Sequence, residues 1–457
     1  MATLLDRNLN KEILKLSIPS ILANLTVPMV GMVDTAVAGH LPFGSAAAFI
    51  GAISVGAMLF NLLYWNFGFI RTGTGGLTAQ AFGRGDKHDC ALILTRALSM
   101  AMVSAAVIII LRKPFARLAM LCVHASSEVE DLARSYFLTR IWAAPATLGL
   151  MAFSGWFVGM QDSMSSMWKD LVINGVNVIA SIVLATGAGL WRGMGFPGIA
   201  WGTVIAQYSG LAFCTTVCAV KYGKGVISTL RANDISGLFR TSALHGFMKM
   251  NLDLLGRSAG FTLIYIGYTL IASEYGDTIL ACSSIMMQLL MLFSYFTDGF
   301  AYAGEALSGR FIGARDTVML RKTVRYVFVW SMSIALLFVI IYLTAGTPLV
   351  RLMTDDAGVV GQCRKYLPWL VLMPPLGCAA FTWDGVYLGA TASRGMFIAM
   401  AGAAVCFFAV WFGGKAVVSP GGSGAMHLLL AAYFAHLAFR TVWLTVRYDD
   451  EILSRVP

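Results

Sequence analysis

The chain has 457 residues, of which 58% are hydrophobic and 12% charged. Soluble globular proteins carry roughly 25% charged residues, so a water-covered surface cannot be built from this composition and most of it must face lipid. The formal net charge of +10 does not point to nucleic acid, because Lys and Arg fall in short segments between apolar runs.

The first apolar run, 13–39, carries Asp34. A carboxylate there must be protonated, paired, or turned to a wet cavity. Charges inside membrane spans are rare and mark ion or proton pathways. The N-terminus also has features of a signal peptide: Arg7, Lys11 and Lys15 precede the run, and Ala36-Val37-Ala38 resembles a cleavage site. The run is too long for one, and Pro19, Pro28 and Asp34 interrupt it, so it is expected as a retained first span.

A span needs roughly 20 apolar residues. Further runs follow at 47–71, 93–113, 131–160, 165–190, 196–221, 240–273, 277–309, 323–346, 358–390, 394–418 and 424–446, which makes twelve expected spans. With the N-terminus inside, twenty-two Lys and Arg residues fall on the inner side and ten on the outer, and Arg257 is left within a span. The excess is expected to leave both termini in the cytoplasm, with lipid around the spans.

Shifted by 230 residues, the chain aligns with itself. Gly83 and Asp86 meet Gly313 and Asp316. Val129, Arg134, Tyr136, Pro145, Gly155, Gly159 and Ser163 meet Val359, Arg364, Tyr366, Pro375, Gly385, Gly389 and Ser393. Apolar bias alone does not match Gly, Pro and Arg. Six spans per half is an even number, so both halves enter from the same side. The expected fold is therefore an all-α membrane protein of 12 transmembrane helices in two six-helix lobes, related by a pseudo-two-fold along the membrane normal. The expected domains are a lobe at 1–222, a basic cytoplasmic linker at 223–239, and a lobe at 240–457.

Depth bookkeeping brings Asp34 near Asn174, Asn177 and Ser181 of span 5 and Thr203 of span 6. Such hard oxygen groups suit a proton or Na⁺. Interhelical hydrogen bonding is the bland alternative for the amides and hydroxyls. In the second half, Asp253 and Arg257 are four apart and can pair. Asp298, Tyr302 and Glu305 share a face of span 8, and Asp384 sits near the inner end of span 10. The offset matches Asp298, Glu305 and Asp384 to Gly68, Gly75 and Ser154, so the halves carry different charges. These acids form either a neutralising network around Arg257 or a substrate or second ion site. Met286, Met287 and Met291 of span 8 are candidates to line an adaptable cavity, with core packing as the commoner role. Pro28 and the Pro374-Pro375 pair are expected to kink spans 1 and 10.

No HExxH, GxSxG, P-loop or GxGxxG occurs, six scattered His give no metal cluster, and the eight Cys show no metal spacing. No catalytic group, metal or organic cofactor is expected, and the loops are too short for an ATP-binding domain. Transport must then draw on an ion gradient.

Several segments resemble the multidrug and toxic compound extrusion (MATE) family, in particular its DNA-damage-inducible protein F branch. They are Asp34-Thr35-Ala36-Val37-Ala38-Gly39-His40 with Pro28 before it, Leu77-Thr78-Ala79-Gln80-Ala81-Phe82-Gly83, Asp298-Gly299-Phe300-Ala301-Tyr302-Ala303-Gly304-Glu305-Ala306, Trp383-Asp384-Gly385 and Leu388-Gly389-Ala390-Thr391. The resemblance implies a proton- or Na⁺-coupled antiporter that exports amphipathic, often cationic drugs, with no enzyme activity, expected here as a monomer. It assigns the family's span-1 acid to Asp34, the span-5 Asn to Asn177 and the span-6 Thr to Thr203. Where many members carry a second acid, this chain has Ser181, which favours a proton over Na⁺. The alternatives are a flippase for lipid-linked precursors, which would want a more cationic cavity, and a membrane enzyme or receptor.

Overall fold

The computed structural model describes residues 6–41, 45–120, 126–187, 191–223, 241–418 and 422–456. Except for Gly223, the expected linker lies outside the described residues. The helices are α1 Arg7–Gly39, α2 Ala46–Trp65, α3 Phe69–Gly83, α4 Lys87–Met120, α5 Ser127–Arg140, α6 Ala144–Gly159, α7 Ser163–Thr186, α8 Phe196–Val217, α9 Thr241–Ser273, α10 Asp277–Gly313, α11 Thr317–Met353, α12 Ala357–Gly389, α13 Ser393–Val418 and α14 Gly422–Val446. A turn at residues 66–68 joins α2 to α3, and Ile141–Ala143 joins α5 to α6, so each pair makes one continuous run.

Among the described residues, eleven of these runs are long and apolar enough to cross a membrane. The remaining one, α12, is 33 residues long but carries Arg364, Lys365 and Asp384. Each of the twelve expected spans coincides with one run. The second extends past its expected end at 71 to Gly83, because its glycine-rich tail packs against α6. Both α1 and α12 continue as helices through their prolines.

The offset of 230 recurs in the helix boundaries. Gly83 and Gly313 end helices, Ser127 and Ala357 begin them, Gly159 and Gly389 end the next, and Ser163 and Ser393 begin the next. Two local causes explain this. After Gly83 and Gly313, the residues Gly85 and Arg315 take positive φ of 72° and 57°, which reverses the chain. Asp86 and Asp316 then cap the following helix by accepting from the backbone N–H of Asp89 and Met319, each at 2.9 Å. The second cause is close packing. A Cβ on Gly155 would lie 2.1 Å from the Arg71 carbonyl oxygen, and one on Gly385 would lie 2.0 Å from that of Ala301. Gly159 and Gly389 make the same approach one turn on. Glycines spaced by four let two membrane helices touch backbone to backbone.

By internal contacts the chain forms two units, residues 22–246 and residues 1–21 with 247–457. The expected first lobe, 1–222, therefore differs from the compact unit. The start of α1 is tied to the second unit instead. Asp6 N donates to the Tyr326 hydroxyl at 3.2 Å, Trp330 Nε1 donates to Asn10 Oδ1 at 2.9 Å, and Arg310 pairs with Glu12 at 3.2 Å. Gly299 of α10 faces the Ser17 carbonyl and Ile21.

Candidate functional site

Asp34 lies five residues from the end of α1, and its side chain is 0% exposed. Four hydrogen-bond donors converge on it. The Tyr136 hydroxyl donates to Oδ2 at 2.9 Å and Thr203 Oγ1 to Oδ2 at 3.1 Å. Asn177 Nδ2 and Ser181 Oγ each reach Oδ1 at 3.4 Å. Asn177 Nδ2 also lies 3.1 Å from Thr203 Oγ1 and 3.3 Å from Ser181 Oγ, which closes the ring. The Asn177 carbonyl oxygen is buried without a hydrogen-bond partner.

Each side chain is placed by its helix. Asn177 and Ser181 are one turn apart and point the same way. Gly202 makes room for them, because a Cβ there would stand 2.4 Å from Ser181 Oγ. Gly56 of α2 does the same for Tyr136, whose ring would be met at 2.5 Å. Behind Tyr136, Arg140 Nη1 donates to the phenol oxygen at 2.8 Å, with its guanidinium 4.9 Å above the Phe60 ring. A cation thus stands one side chain behind the carboxylate.

Of the residues expected near Asp34, Asn177, Ser181 and Thr203 are brought to it. Asn174 is not; its Nδ2 donates to the Thr26 carbonyl at 3.2 Å and holds the α1 backbone to α7. Sequence reasoning missed Tyr136 and Arg140. Tyr136 stood in the internal repeat, but its partner Tyr366 drew attention to scaffold rather than site. Arg140 falls inside the expected span 131–160, but the sequence alone does not set it apart from the basic residues counted on the outer side.

The second unit carries a separate polar cluster. Asp384 of α12 accepts from Arg257 of α9 at 2.7 Å and also from Arg440 of α14. Both guanidiniums cover the Phe261 ring, at 4.9 and 4.7 Å. Two charges of one sign share one carboxylate, so the cluster keeps a positive charge. The suggested Asp253–Arg257 pair does not form. Arg257 turns to Asp384, and Asp253 accepts from Ser393 Oγ at 3.1 Å and Arg394 at 3.4 Å. Asp298 and Tyr302 are half-buried on α10, and Glu305 is fully buried where α10 crosses Gly389. Met286 and Met287 lie in the packed core, and Met291 is half-buried.

Arg257 is not the only basic residue within a span, because Arg140, Lys169 and Arg440 are also drawn in. Lys169 is 7% exposed and reaches Ser154 Oγ at 2.8 Å and Asp170 at 2.7 Å. Ser154 holds the position 230 residues before Asp384, so both units keep a cation at matching places. Among the described residues, no group of three or more His, Cys, Asp or Glu is placed to hold a metal.

The MatE family model matches residues 19–185 and 255–412. The chain is a member of the MatE family. DNA damage-inducible protein F of Escherichia coli is 34% identical over 402 residues, covering 87% of this chain and 84% of that protein. The probable multidrug resistance protein NorM of Photorhabdus laumondii is 22% identical, covering 85% and 84%. A MATE crystal structure in the bent conformation superposes with TM-score 0.86 at 17% identity, covering 99% of this chain and 98% of that one. An outward-facing multidrug resistance MATE transporter superposes at 0.81, with 17% identity and coverage of 98% and 97%. This MatE chain is thus a multi-pass multidrug and toxic compound efflux transporter of the two-lobed, twelve-span architecture, and not an enzyme.

Proposed function

We propose that this MatE protein is a proton-coupled antiporter that exports amphipathic cations by alternating access, with Asp34 as the group that carries the coupling proton. The observation behind this reading is the fully buried Asp34 carboxylate, ringed by Tyr136, Asn177, Ser181 and Thr203. An ionised carboxylate accepts from all four. A protonated one gains an O–H donor and gives up acceptor capacity, so the ring must rearrange. The ring members come from α1, α5, α7 and α8, so gain or loss of one proton changes how four helices meet. Packed interfaces respond to such changes by switching between discrete arrangements.

The choice of proton over Na⁺ rests on charge. Na⁺ is a hard cation that needs oxygen ligands with compensating charge. The ring offers one carboxylate, and Arg140 stands behind it. A proton needs no further ligand charge, because it binds one oxygen covalently. The cationic substrate class follows from the family reading and from the half-buried acid Asp298. In the first unit the buried Arg140 and Lys169 each engage a hydroxyl or acidic oxygen, which disfavours an anionic lipid cargo there. The reading places a monomer in the bacterial inner membrane.

The test is transport by purified protein in liposomes, with proton and Na⁺ gradients imposed separately. Export should follow the proton gradient, collapse with a protonophore and persist without Na⁺. Asp34→Asn should abolish it. Undiminished transport by that variant, or strict Na⁺ dependence, removes this assignment.

A further inference from the structure

Cys282 lies in the second turn of α10 and Cys363 in the second turn of α12, and their Sγ atoms are 3.1 Å apart. Both side chains are 0% exposed. Nonbonded heavy atoms settle at about 3.5–4.0 Å, and a disulfide bond is about 2.05 Å long. The two sulfurs therefore stand inside ordinary contact and about 1 Å from bonding distance. We propose that Cys282 and Cys363 are an oxidation site, forming a reversible disulfide that staples α10 to α12.

The internal repeat separates this proposal from simple packing. Shifted back by 230, Cys282 and Cys363 fall on Ala52 of α2 and Ala133 of α5, both also 0% exposed. Two methyl groups fill those scaffold positions in the first unit. Small size is all that packing requires there, and the second unit adds sulfur at both places together. The location also gives the bond an effect. α10 and α12 run parallel and interlock near their far ends, where Gly385 and Gly389 press on the Ala301 and Glu305 carbonyls. The thiol pair lies at the opposite end, so a bond there fixes the end that the glycines leave free.

The oxidant is a disulfide-bearing molecule acting by exchange. One thiolate attacks a sulfur of the oxidant and expels its other half as a thiolate. The second thiolate then attacks the Sγ of the first and expels the remaining half. The two cysteines lose two electrons and two protons, and the oxidant leaves as two thiols.

Dithiodipyridine, a small apolar disulfide, suits a buried site. The full chain in detergent is treated with it, denatured, alkylated and mapped by mass spectrometry. The expected result is a Cys282–Cys363 linked peptide, the loss of two of the 8 alkylation sites, and recovery of both with dithiothreitol. Oxidation should raise the thermal midpoint by several degrees. C282A/C363A should fold, since the first unit carries alanine at both places, and its midpoint should not respond to oxidant. Two unlinked thiols, two separate pyridyl adducts, or a midpoint shift that survives in C282A/C363A each overturn the proposal.

Discussion

At the scale of single residues, the site depends on a donor that contributes no charge. Tyr136 accepts from Arg140 and donates to Asp34, and so carries the influence of a cation to the carboxylate. Hydrogen bonds to charged groups contribute about 1.5–3 kcal/mol. Tyr136→Phe keeps the ring on Gly56 and Phe196 but removes the relay. Export driven by a proton gradient should fall about tenfold, while the thermal midpoint in detergent moves by only a few degrees. Unchanged export would show that Arg140 does not act on Asp34 through this hydroxyl. Asp34, Asn177, Ser181 and Thr203 were legible in the sequence because short polar groups inside apolar runs are costly and conspicuous. Tyr136 and Arg140 were not. A tyrosine is ordinary in a span, and an arginine near a span end reads as surface until the fold turns it inward. The Arg257–Asp384–Arg440 cluster was half legible for a related reason: the four-residue spacing of Asp253 and Arg257 suggested a local pair, and contacts between distant helices overrode it.

At the scale of elements, glycine spacing positions the helices. Twelve runs could be delimited from apolar length alone, but only the repeat set Gly155 and Gly385, with Gly83, Gly159, Gly313 and Gly389, apart from the other 41 glycines. The structure supplies the reason, since Gly155 and Gly385 sit against carbonyl oxygens that cannot yield as a flexible side chain would. Gly155→Ala and Gly385→Ala should each cost about 1–3 kcal/mol by forcing helices apart. Gly175, on the same scaffold but facing open space, is the control; Gly175→Ala should stabilise by about 0.5–1 kcal/mol. Thermal unfolding in detergent, read as a set of three, checks the ordering. The junction of α6, α7 and α8 offers a pH-dependent counterpart. Asp162 accepts from Lys221 and Ser165 at 2.6 Å and from Tyr222 at 2.8 Å, while it caps α7. Burial pushes this carboxyl up, and the hydrogen bonds from Lys221, Ser165 and Tyr222, with the Lys221 charge, outweigh burial and hold it below its usual value. A depressed carboxyl adds stability that is present above its unfolded pKa of about 3.9 and is lost as pH falls through the folded value. Asp162→Asn should therefore lower the thermal midpoint by a few degrees at pH 7, and the gap to wild type should shrink as the pH drops towards 3. A gap that stays constant with pH would assign the effect to the helix cap alone.

At the scale of the whole molecule, orientation follows from charge that the fold leaves at helix ends. Lys and Arg near span ends resist translocation, so the side with the excess stays in the cytoplasm. Arg140, Lys169 and Arg440 drop out of that comparison, because the fold turns all three to buried polar partners. Removing one from the outer count and two from the inner leaves the asymmetry intact. Arg84 and Lys87 flank the α3–α4 turn, and Arg315, Arg321 and Lys322 flank its repeat counterpart between α10 and α11. Both turns have the same backbone reversal and the same aspartate cap, and both are basic, so each is expected on the cytoplasmic side. An even number of crossings between those turns requires them to share a side. A single cysteine placed at Lys87 or at Thr317, in a variant without its native cysteines, should be shielded from an impermeant maleimide in intact cells and labelled after permeabilisation. A cysteine at Arg192, between α7 and α8, should label without permeabilisation. Labelling of the two repeat-related turns from opposite sides would break the parallel arrangement of the halves, and labelling of both from outside would reverse the expected orientation.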